Sequence, residues 1–167
     1  SGNSGINKYS QNINSSFGKI IKIDDNFRSS IYSLGHKNPQ GLFFSKNKEF
    51  LFSTEHGPKG GDELNLIKKS QNYGWPCETK GVQYSYPLDN NYDKIWPSNL
   101  SKFGCIKNQT FMEPLYTWTP SIAISQGLSY KGDYFKMYKN NLIIGSLLAQ
   151  SLFIINFTED NKVNNIE

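Results

Sequence analysis

The stretch Leu34–Pro76 decides the fold, because it holds three polar clusters rich in Gly and Pro: GHKNPQG at 35–41, EHGPKGGDE at 55–63 and NYGWP at 72–76. Short apolar runs lie between and beside them, at 41–45, 50–53 and 64–67. Alternating apolar runs and turn residues are typical of β-strands, and functional residues concentrate in the connecting loops. The pattern predicts strands that deliver three functional loops to one end of a β structure.

The first cluster combines a cation with side-chain amides in a rigid turn. Lys37 precedes Asn38, Pro39 and Gln40. Ammonium and amide groups form strong hydrogen bonds with anionic oxygens. The cluster therefore predicts a pocket for a planar, anionic, oxygen-rich ligand.

The second cluster is suited to a hard cation. Gly57-Pro58 can turn successive backbone carbonyls towards one point, and Asp62 and Glu63 add carboxylates just downstream. Calcium prefers carbonyl and carboxylate oxygens. The sequence predicts a calcium site beside the anion pocket.

The composition indicates one all-β domain. The chain has 167 residues, is 14% aromatic and carries a net charge of +4. Its cations are dispersed lysines with a single Arg28, unlike the clustered arginines of nucleic-acid surfaces, so we expect no nucleic-acid partner. It contains no run of about 18 apolar residues, so we expect no membrane span.

The three clusters, in this order and at these intervals, resemble the glucose/sorbosone dehydrogenase family, which includes soluble quinoprotein aldose sugar dehydrogenases. Three further segments resemble neighbouring parts of the same family, at 17–24, 113–123 and 141–153. The resemblance spans roughly 12–163, nearly the whole chain.

This resemblance implies a six-bladed β-propeller, of which the chain would form a part. Blades of about 40 to 50 residues give a partial propeller of roughly three four-stranded antiparallel blades over 17–167, after a flexible N-terminal arm at 1–16. An open propeller exposes blade faces and edge strands. We therefore expect a possible homodimer through the exposed blade faces.

The resemblance also implies a set of site residues. Lys37, in place of the family's usual Arg, and Asn38 would contact pyrroloquinoline quinone (PQQ), and Tyr116 would lie near the sugar and the cofactor. The calcium ligands would be Gly57 and Pro58 beside the quinone, and Asp62, Glu63 and Tyr73 around a second, structural ion. The alternatives are a purely structural turn at Lys37 and an exposed acidic turn at Glu63.

Other family positions differ here. The family's catalytic His lies upstream of Gly18, in a segment that this chain does not contain, and the arginines that clamp the quinone would fall beyond Glu167. A Lys that some members use to hold the quinone is replaced by Leu148. Neither His36 nor His56 matches the catalytic base. We expect the chain alone to be inactive.

The two cysteines, Cys77 and Cys105, bracket a long irregular segment that predicts an insertion at 77–105. They could be unrelated thiols, but some relatives carry cysteines at both places, which implies a disulfide. A bridge implies an oxidising, periplasmic or secreted setting.

The leading functional hypothesis is a PQQ- and calcium-dependent sugar dehydrogenase that oxidises the anomeric carbon of aldoses and passes electrons to an external acceptor. The alternative is a non-catalytic binding or interaction module. A third possibility is a structural domain stiffened by calcium.

Overall fold

A computed structural model describes residues 9–45, 49–82, 104–106, 108–158 and 162–167. These residues form ten β-strands in three antiparallel sheets, with a short 3₁₀ helix at Lys136–Tyr138. No helix within these ranges is long and apolar enough to cross a bilayer. The predicted all-β fold with antiparallel blades is confirmed.

The first sheet is a hairpin of β1 (Lys19–Ile23) and β2 (Ser29–Leu34). A polar turn joins them, in which the Asp24 carboxylate accepts hydrogen bonds from the N–H groups of Asn26 and Arg28, both at 2.9 Å. Of the three predicted blades, the first thus shows two strands in the described residues.

The second sheet contains β3 (Pro39–Phe44), β4 (Leu51–Glu55), β5 (Asp62–Ile67) and β6 (Tyr116–Trp118), in that spatial order. β3, β4 and β5 begin and end within about two residues of the apolar runs at 41–45, 50–53 and 64–67. Residues 46–48, between β3 and β4, lie outside the described residues, as does the part of the 77–105 insertion that spans 83–103.

The third sheet contains β7 (Ile124–Ser129), β8 (Leu142–Ser146), β9 (Ser151–Phe157) and β10 (Val163–Ile166). These strands run outwards in sequence order, as in the second sheet. The apolar runs that follow Asn140-Asn141 and precede the turn at 159–162 predict strands at 142–146 and 151–157, and β8 and β9 have these bounds. The turn residues 159–161 lie outside the described residues.

The second and third sheets pack through their inner strands, where glycines let the backbones approach. A β-carbon on Gly127 would lie 2.6 Å from ring atoms of Phe43, and one on Gly41 would lie 3.1 Å from the Cα of Gln126. These contacts make β3 and β7 neighbours, as in consecutive propeller blades. Between them lies the main core, formed by the buried side chains of Phe43, Phe52, Leu64, Trp118, Ile124, Leu142, Ile144 and Ile155.

Residues 9–16, the described part of the predicted N-terminal arm, contact the rest of the chain. Ser10 is buried, and the Gln11 amide donates to the Trp75 carbonyl at 2.7 Å and exchanges hydrogen bonds with the Asn72 side chain. The Lys19 ammonium donates to the carbonyls of Tyr9 and Ser10. Residues 1–8 lie outside the described ranges.

A disulfide joins Cys77 and Cys105, as the resemblance implied. It closes the long connection between β5 and β6. Just after Cys77, the chain pairs with the β4–β5 loop, since Lys59 and Val82 exchange backbone hydrogen bonds of 2.8 and 2.9 Å. The bridge therefore anchors a segment that supports this loop.

Candidate functional site

Three predicted loops meet at one end of the sheets, which we call the site end. The Asn38 carbonyl accepts a hydrogen bond from the His56 N–H at 3.1 Å, and the Gly35 carbonyl accepts one from the Trp75 N–H at 2.8 Å. The end of β6 joins them, because the Gly61 N–H donates to the Trp118 carbonyl at 2.8 Å. The structure thus brings the three sequence clusters together.

His36 is locked in the interior beneath this end. Its Nε2 lies 2.8 Å from the Ser33 hydroxyl and its Nδ1 lies 3.0 Å from the Glu55 carboxylate. The ring stacks on Tyr73 with centroids 4.6 Å apart. Both ring nitrogens are engaged and the side chain is fully buried, so His36 orients its neighbours and has no access to a ligand.

Lys37 is held at both of its nitrogens. The backbone N–H donates to the Glu55 carboxylate at 2.5 Å, and the ammonium donates to the Gly57 carbonyl at 2.9 Å. The ammonium also lies 5.4 Å from the centroid of the Trp75 ring. Burial lowers the pKa of Lys37, although the charges of Glu55, Asp62 and Glu63 act in the opposite direction.

The β4–β5 loop is folded so tightly that only glycine fits at several of its positions. A β-carbon on Gly57 would overlap the carbonyl oxygens of Gly60 and Gly61, and Gly60 and Gly61 have φ of +74° and +68°. Gly81 packs against the other side of the loop, close to Pro58. The fold therefore gathers several backbone carbonyls around Gly57.

Asp62 is fully buried, and both of its carboxylate oxygens accept hydrogen bonds. Oδ1 accepts from the Gly57 N–H at 3.1 Å. Oδ2 accepts from the Ser121 hydroxyl at 2.7 Å and from the N–H groups of Ile122 and Ile124, both at 3.1 Å. Asp62 thus ties the β4–β5 loop to the start of the third sheet, a role that the sequence analysis missed.

Glu63 lies directly opposite Glu55 in the β4–β5 register. Burial, followed by the charge of Glu55, raises the pKa of Glu63 to about 8, while a hydrogen bond from Asn65 at 3.0 Å and the charge of Lys80 oppose the shift. Two facing carboxylates in a buried position repel each other when both are ionised. This arrangement favours a bound cation.

Two buried oxygens beside this pair have no hydrogen-bond partner in the described residues, the Ser53 hydroxyl and the Asn65 amide oxygen. Ser53 and Asn65 are themselves register partners, next to the pair of Glu55 and Glu63 on the same sheet face. Unpaired buried oxygens are rare, and a cation would satisfy them. The polar alternation Ser53-x-Glu55 and Glu63-x-Asn65 was the sequence signal for this group.

Within the described ranges there is no cluster of three or more His, Cys, Asp or Glu placed to hold a metal. Such a count omits carbonyl, amide and hydroxyl oxygens, which are ordinary calcium ligands. A calcium site here would therefore depend on these neutral oxygens together with Glu63.

The two other predicted site residues are Tyr73 and Tyr116. The Tyr73 hydroxyl accepts from the Lys68 N–H and donates to the Leu66 carbonyl, and burial raises its pKa to about 12. The hydroxyl is therefore fully engaged, and the atom of Tyr73 that remains suited to coordinating a cation is its backbone oxygen. Tyr116 lies on β6, the strand at the opposite edge of the sheet from β3, where it packs on Trp118. The sheet order does not bring it to Lys37.

Comparison with known proteins gives a family match over the whole chain. The family model described as Glucose / Sorbosone dehydrogenase matches residues 1–167. Among curated proteins, the chain is 31% identical over 142 residues to Aldose sugar dehydrogenase YliI of Escherichia coli (strain K12), covering 81% of the chain. It is 53% identical over 62 residues, 35% of the chain, to Quinoprotein glucose dehydrogenase B of Acinetobacter calcoaceticus.

Among solved structures, the chain is similar to the soluble aldose sugar dehydrogenase from Escherichia coli in its apo-form, with a TM-score of 0.73 and 28% identity over 93% of the chain. The chain spans only part of each of these proteins. It covers 35% of the curated E. coli protein, 13% of the Acinetobacter protein and 46% of the solved chain.

Proposed function

This chain belongs to the glucose/sorbosone dehydrogenase family, and on that premise we propose that it is part of a quinone-dependent dehydrogenase that oxidises the anomeric carbon of aldoses. The single observation that carries the proposal is the contact between Lys37 and Gly57. A buried ammonium and a backbone carbonyl from different loops meet at 2.9 Å, in the two motifs where the family resemblance places the quinone and its calcium.

In this proposal, Lys37 and Asn38 contact the anionic oxygens of PQQ, and the carbonyls of Gly57 and Pro58 face the adjacent calcium. When bound, PQQ would supply the oxidising group and calcium would polarise it as a Lewis acid. The chain's own contribution is positioning. Glu55 holds the Lys37 backbone, and Asp62 holds the Gly57 N–H, so both motifs are fixed before a ligand arrives.

The structural calcium is supported by the donor set around Glu63. The pKa of Glu63 is raised to about 8, and the oxygens of Ser53 and Asn65 lack partners in the described residues. With the Tyr73 backbone oxygen they give the mixture of oxygens that calcium takes. Asp62 already accepts hydrogen bonds at both oxygens, so we propose that it orders the loop from outside the coordination shell.

We also propose a compartment, a substrate with its electron acceptor, and a homodimer. The Cys77–Cys105 disulfide supports an oxidising compartment, hence a periplasmic or secreted protein. The sugar substrate and external electron acceptor follow from the family. A homodimer through blade faces is tested by sedimentation, and a monomer at high concentration would remove it.

A chimera tests the function. The matched segment of the E. coli aldose sugar dehydrogenase is replaced by this chain, and dye-linked oxidation of an aldose panel is measured with added PQQ and Ca²⁺. We expect PQQ-dependent activity in the chimera and none in the 167-residue chain alone. A folded chimera that binds no PQQ would contradict the proposal, and activity of the chain alone would contradict its predicted incompleteness.

The non-catalytic binding module remains the second candidate, because Leu148 stands exposed where some members have a Lys. It predicts a chimera that binds Ca²⁺ but not PQQ. Leu148→Lys in the chimera separates the two, since only a dehydrogenase site gains PQQ affinity from the added cation.

A further inference from the structure

The end of the sheets opposite the site end has its own surface, which we call the turn end. Neighbouring strands alternate in direction, so the β1–β2, β3–β4, β7–β8 and β9–β10 connections all leave there. Tyr32 of β2, Phe50 before β4 and Lys162 before β10 line one cleft, so each of the three sheets contributes to it.

An aromatic loop at 130–141 projects from this end. Tyr134 is 89% exposed and Met137 is 76% exposed, and Phe135 is exposed beside them. The loop is ordered from within, because the Tyr130 hydroxyl accepts the Phe135 N–H at 3.0 Å and the 3₁₀ helix follows. An ordered loop that holds apolar side chains in water is typical of an interaction surface.

Phe27 presents a second apolar tip at the same end. It is 90% exposed at the β1–β2 turn and is held outward at a φ of 59°. β-branched or bulky residues seldom adopt positive φ, which is costly outside glycine and asparagine. The turn end therefore carries separate, projecting apolar side chains and not one flat patch.

Lysines accompany the cleft and the aromatic loop, whereas Phe27 follows Asp24 and Asp25 and precedes Arg28. An open cleft of about 590 Å³ has apolar walls from Phe50, Leu66 and Leu115, with Lys68, Lys69 and Lys162 among its lining residues. The aromatic loop adds Lys131, Lys136 and Lys139. Opposing them are Glu49 in the cleft and Asp133, which pairs with Lys139. The cleft and the aromatic loop thus carry more positive than negative charge.

We propose that the turn end binds peripherally to the surface of an anionic phospholipid bilayer. Tyr134, Met137 and Phe27 enter the headgroup region, and the lysines contact phosphate groups, with Lys68, Lys69 and Lys162 receiving a headgroup in the cleft. Exposed aromatic and Met side chains ringed by lysines are the combination that interfacial binding uses. The site end would then face away from the bilayer, towards solutes.

Vesicle flotation tests the proposal with the chain as it is. Vesicles of phosphatidylcholine alone are compared with vesicles that also contain phosphatidylglycerol. We expect flotation with the mixed vesicles only, weakened by added salt. The Tyr134→Ser/Met137→Ser variant should lose it. Lys68→Gln/Lys69→Gln should weaken binding by about fivefold for each lysine removed.

The matched control is Leu147→Ser/Leu152→Ser, which removes apolar side chains that are 72% and 66% exposed at the site end. It should float like the wild type. All these positions are exposed, so the variants are expected to fold, and circular dichroism checks this. Equal flotation on both vesicle types, no flotation on the mixed vesicles, or a loss in the control equal to that of the aromatic-loop variant would overturn the proposal.

Discussion

The ammonium of Lys37 lies 2.9 Å from the carbonyl oxygen of Gly57, a residue twenty positions later in the chain. In our proposal the same carbonyl faces the calcium, so the ammonium and the ion would share one acceptor. A lysine and a divalent cation cannot both contact one carbonyl closely without strong repulsion. Metal binding therefore requires Lys37 to turn away, towards an incoming anion.

Lys37→Met is expected to raise Ca²⁺ affinity and lower PQQ affinity. A positive charge about 4 Å away costs about 1 kcal/mol per unit charge even at the dielectric constant of bulk water, roughly 80, so removing it should raise Ca²⁺ affinity by at least about fivefold. Titration calorimetry with Ca²⁺ alone measures the first effect. Lys37→Arg keeps the charge and should change Ca²⁺ affinity little; equal affinity in all three proteins would rule out the competition.

The stability of the metal-free chain should fall as pH rises. The pKa of Glu63 is raised to about 8 in the fold, above its unfolded value of 4.5, so the folded state holds a proton that the unfolded state has lost. Stability is then lost between these two values, by at most about 1.4 kcal/mol per pH unit. Urea unfolding in chelator at several pH values measures the slope.

Glu63→Gln is the control for that slope. It should flatten the pH dependence between the two pKa values and also remove stabilisation by Ca²⁺. If the variant keeps the wild-type pH dependence of the free energy of unfolding, a group other than Glu63 is responsible for it.

Gly57→Ala should destabilise the chain by about 1 to 3 kcal/mol, because the new β-carbon overlaps the carbonyls of Gly60 and Gly61. Gly145→Ala is a matched control, since its β-carbon comes within 3 Å only of the flexible Ser125 hydroxyl. Chemical denaturation compares the two. Similar losses would show that the β4–β5 loop relaxes easily.

Asp62→Asn should cost about 2 to 3 kcal/mol, because an amide nitrogen replaces an acceptor and leaves buried N–H groups unmatched. Ser121→Ala removes only one donor to Asp62 and should cost about 1 kcal/mol. Equilibrium unfolding measures both. If Asp62→Asn is no worse than Ser121→Ala, the carboxylate is not the link between the two sheets.

Reduction of the Cys77–Cys105 bridge, or Cys77→Ser/Cys105→Ser, should lower stability by about 3 kcal/mol, since a loop with a sequence separation of 28 is opened. The Lys59–Val82 pairing should loosen with it. Hydrogen exchange at the N–H groups of Lys59 and Val82 reports this local effect. Protection that is unchanged after reduction would show that the β4–β5 loop is supported without the bridge.

The strands could be predicted because each depends on a local signal. Apolar runs between Asn, Gly and Pro turns gave β8 and β9 with their observed bounds. The meeting of Lys37 with Gly57 also followed from the motifs, because loops at the same end of a sheet converge.

Other parts of the site could not be predicted from the sequence, because they depend on strand register and on contacts between residues far apart in the chain. Ser53 and Asn65 become neighbours only through the β4–β5 pairing. Apart from the Gly57 N–H, the donors to Asp62 lie about sixty residues away, in the β6–β7 connection and the first residue of β7. Tyr116 matched a family motif, which placed it near the cofactor. Motif spacing does not specify the spatial order of the strands, and that order puts Tyr116 on the edge strand β6.

The Phe43 ring lies over Gly127, where an added β-carbon would come within 2.6 Å of two ring atoms. The absence of a side chain at that point lets β3 and β7 lie against each other. A methyl group at Gly127 would have to displace the ring or the strand, so the spacing of two neighbouring blades depends on a residue that carries no chemistry.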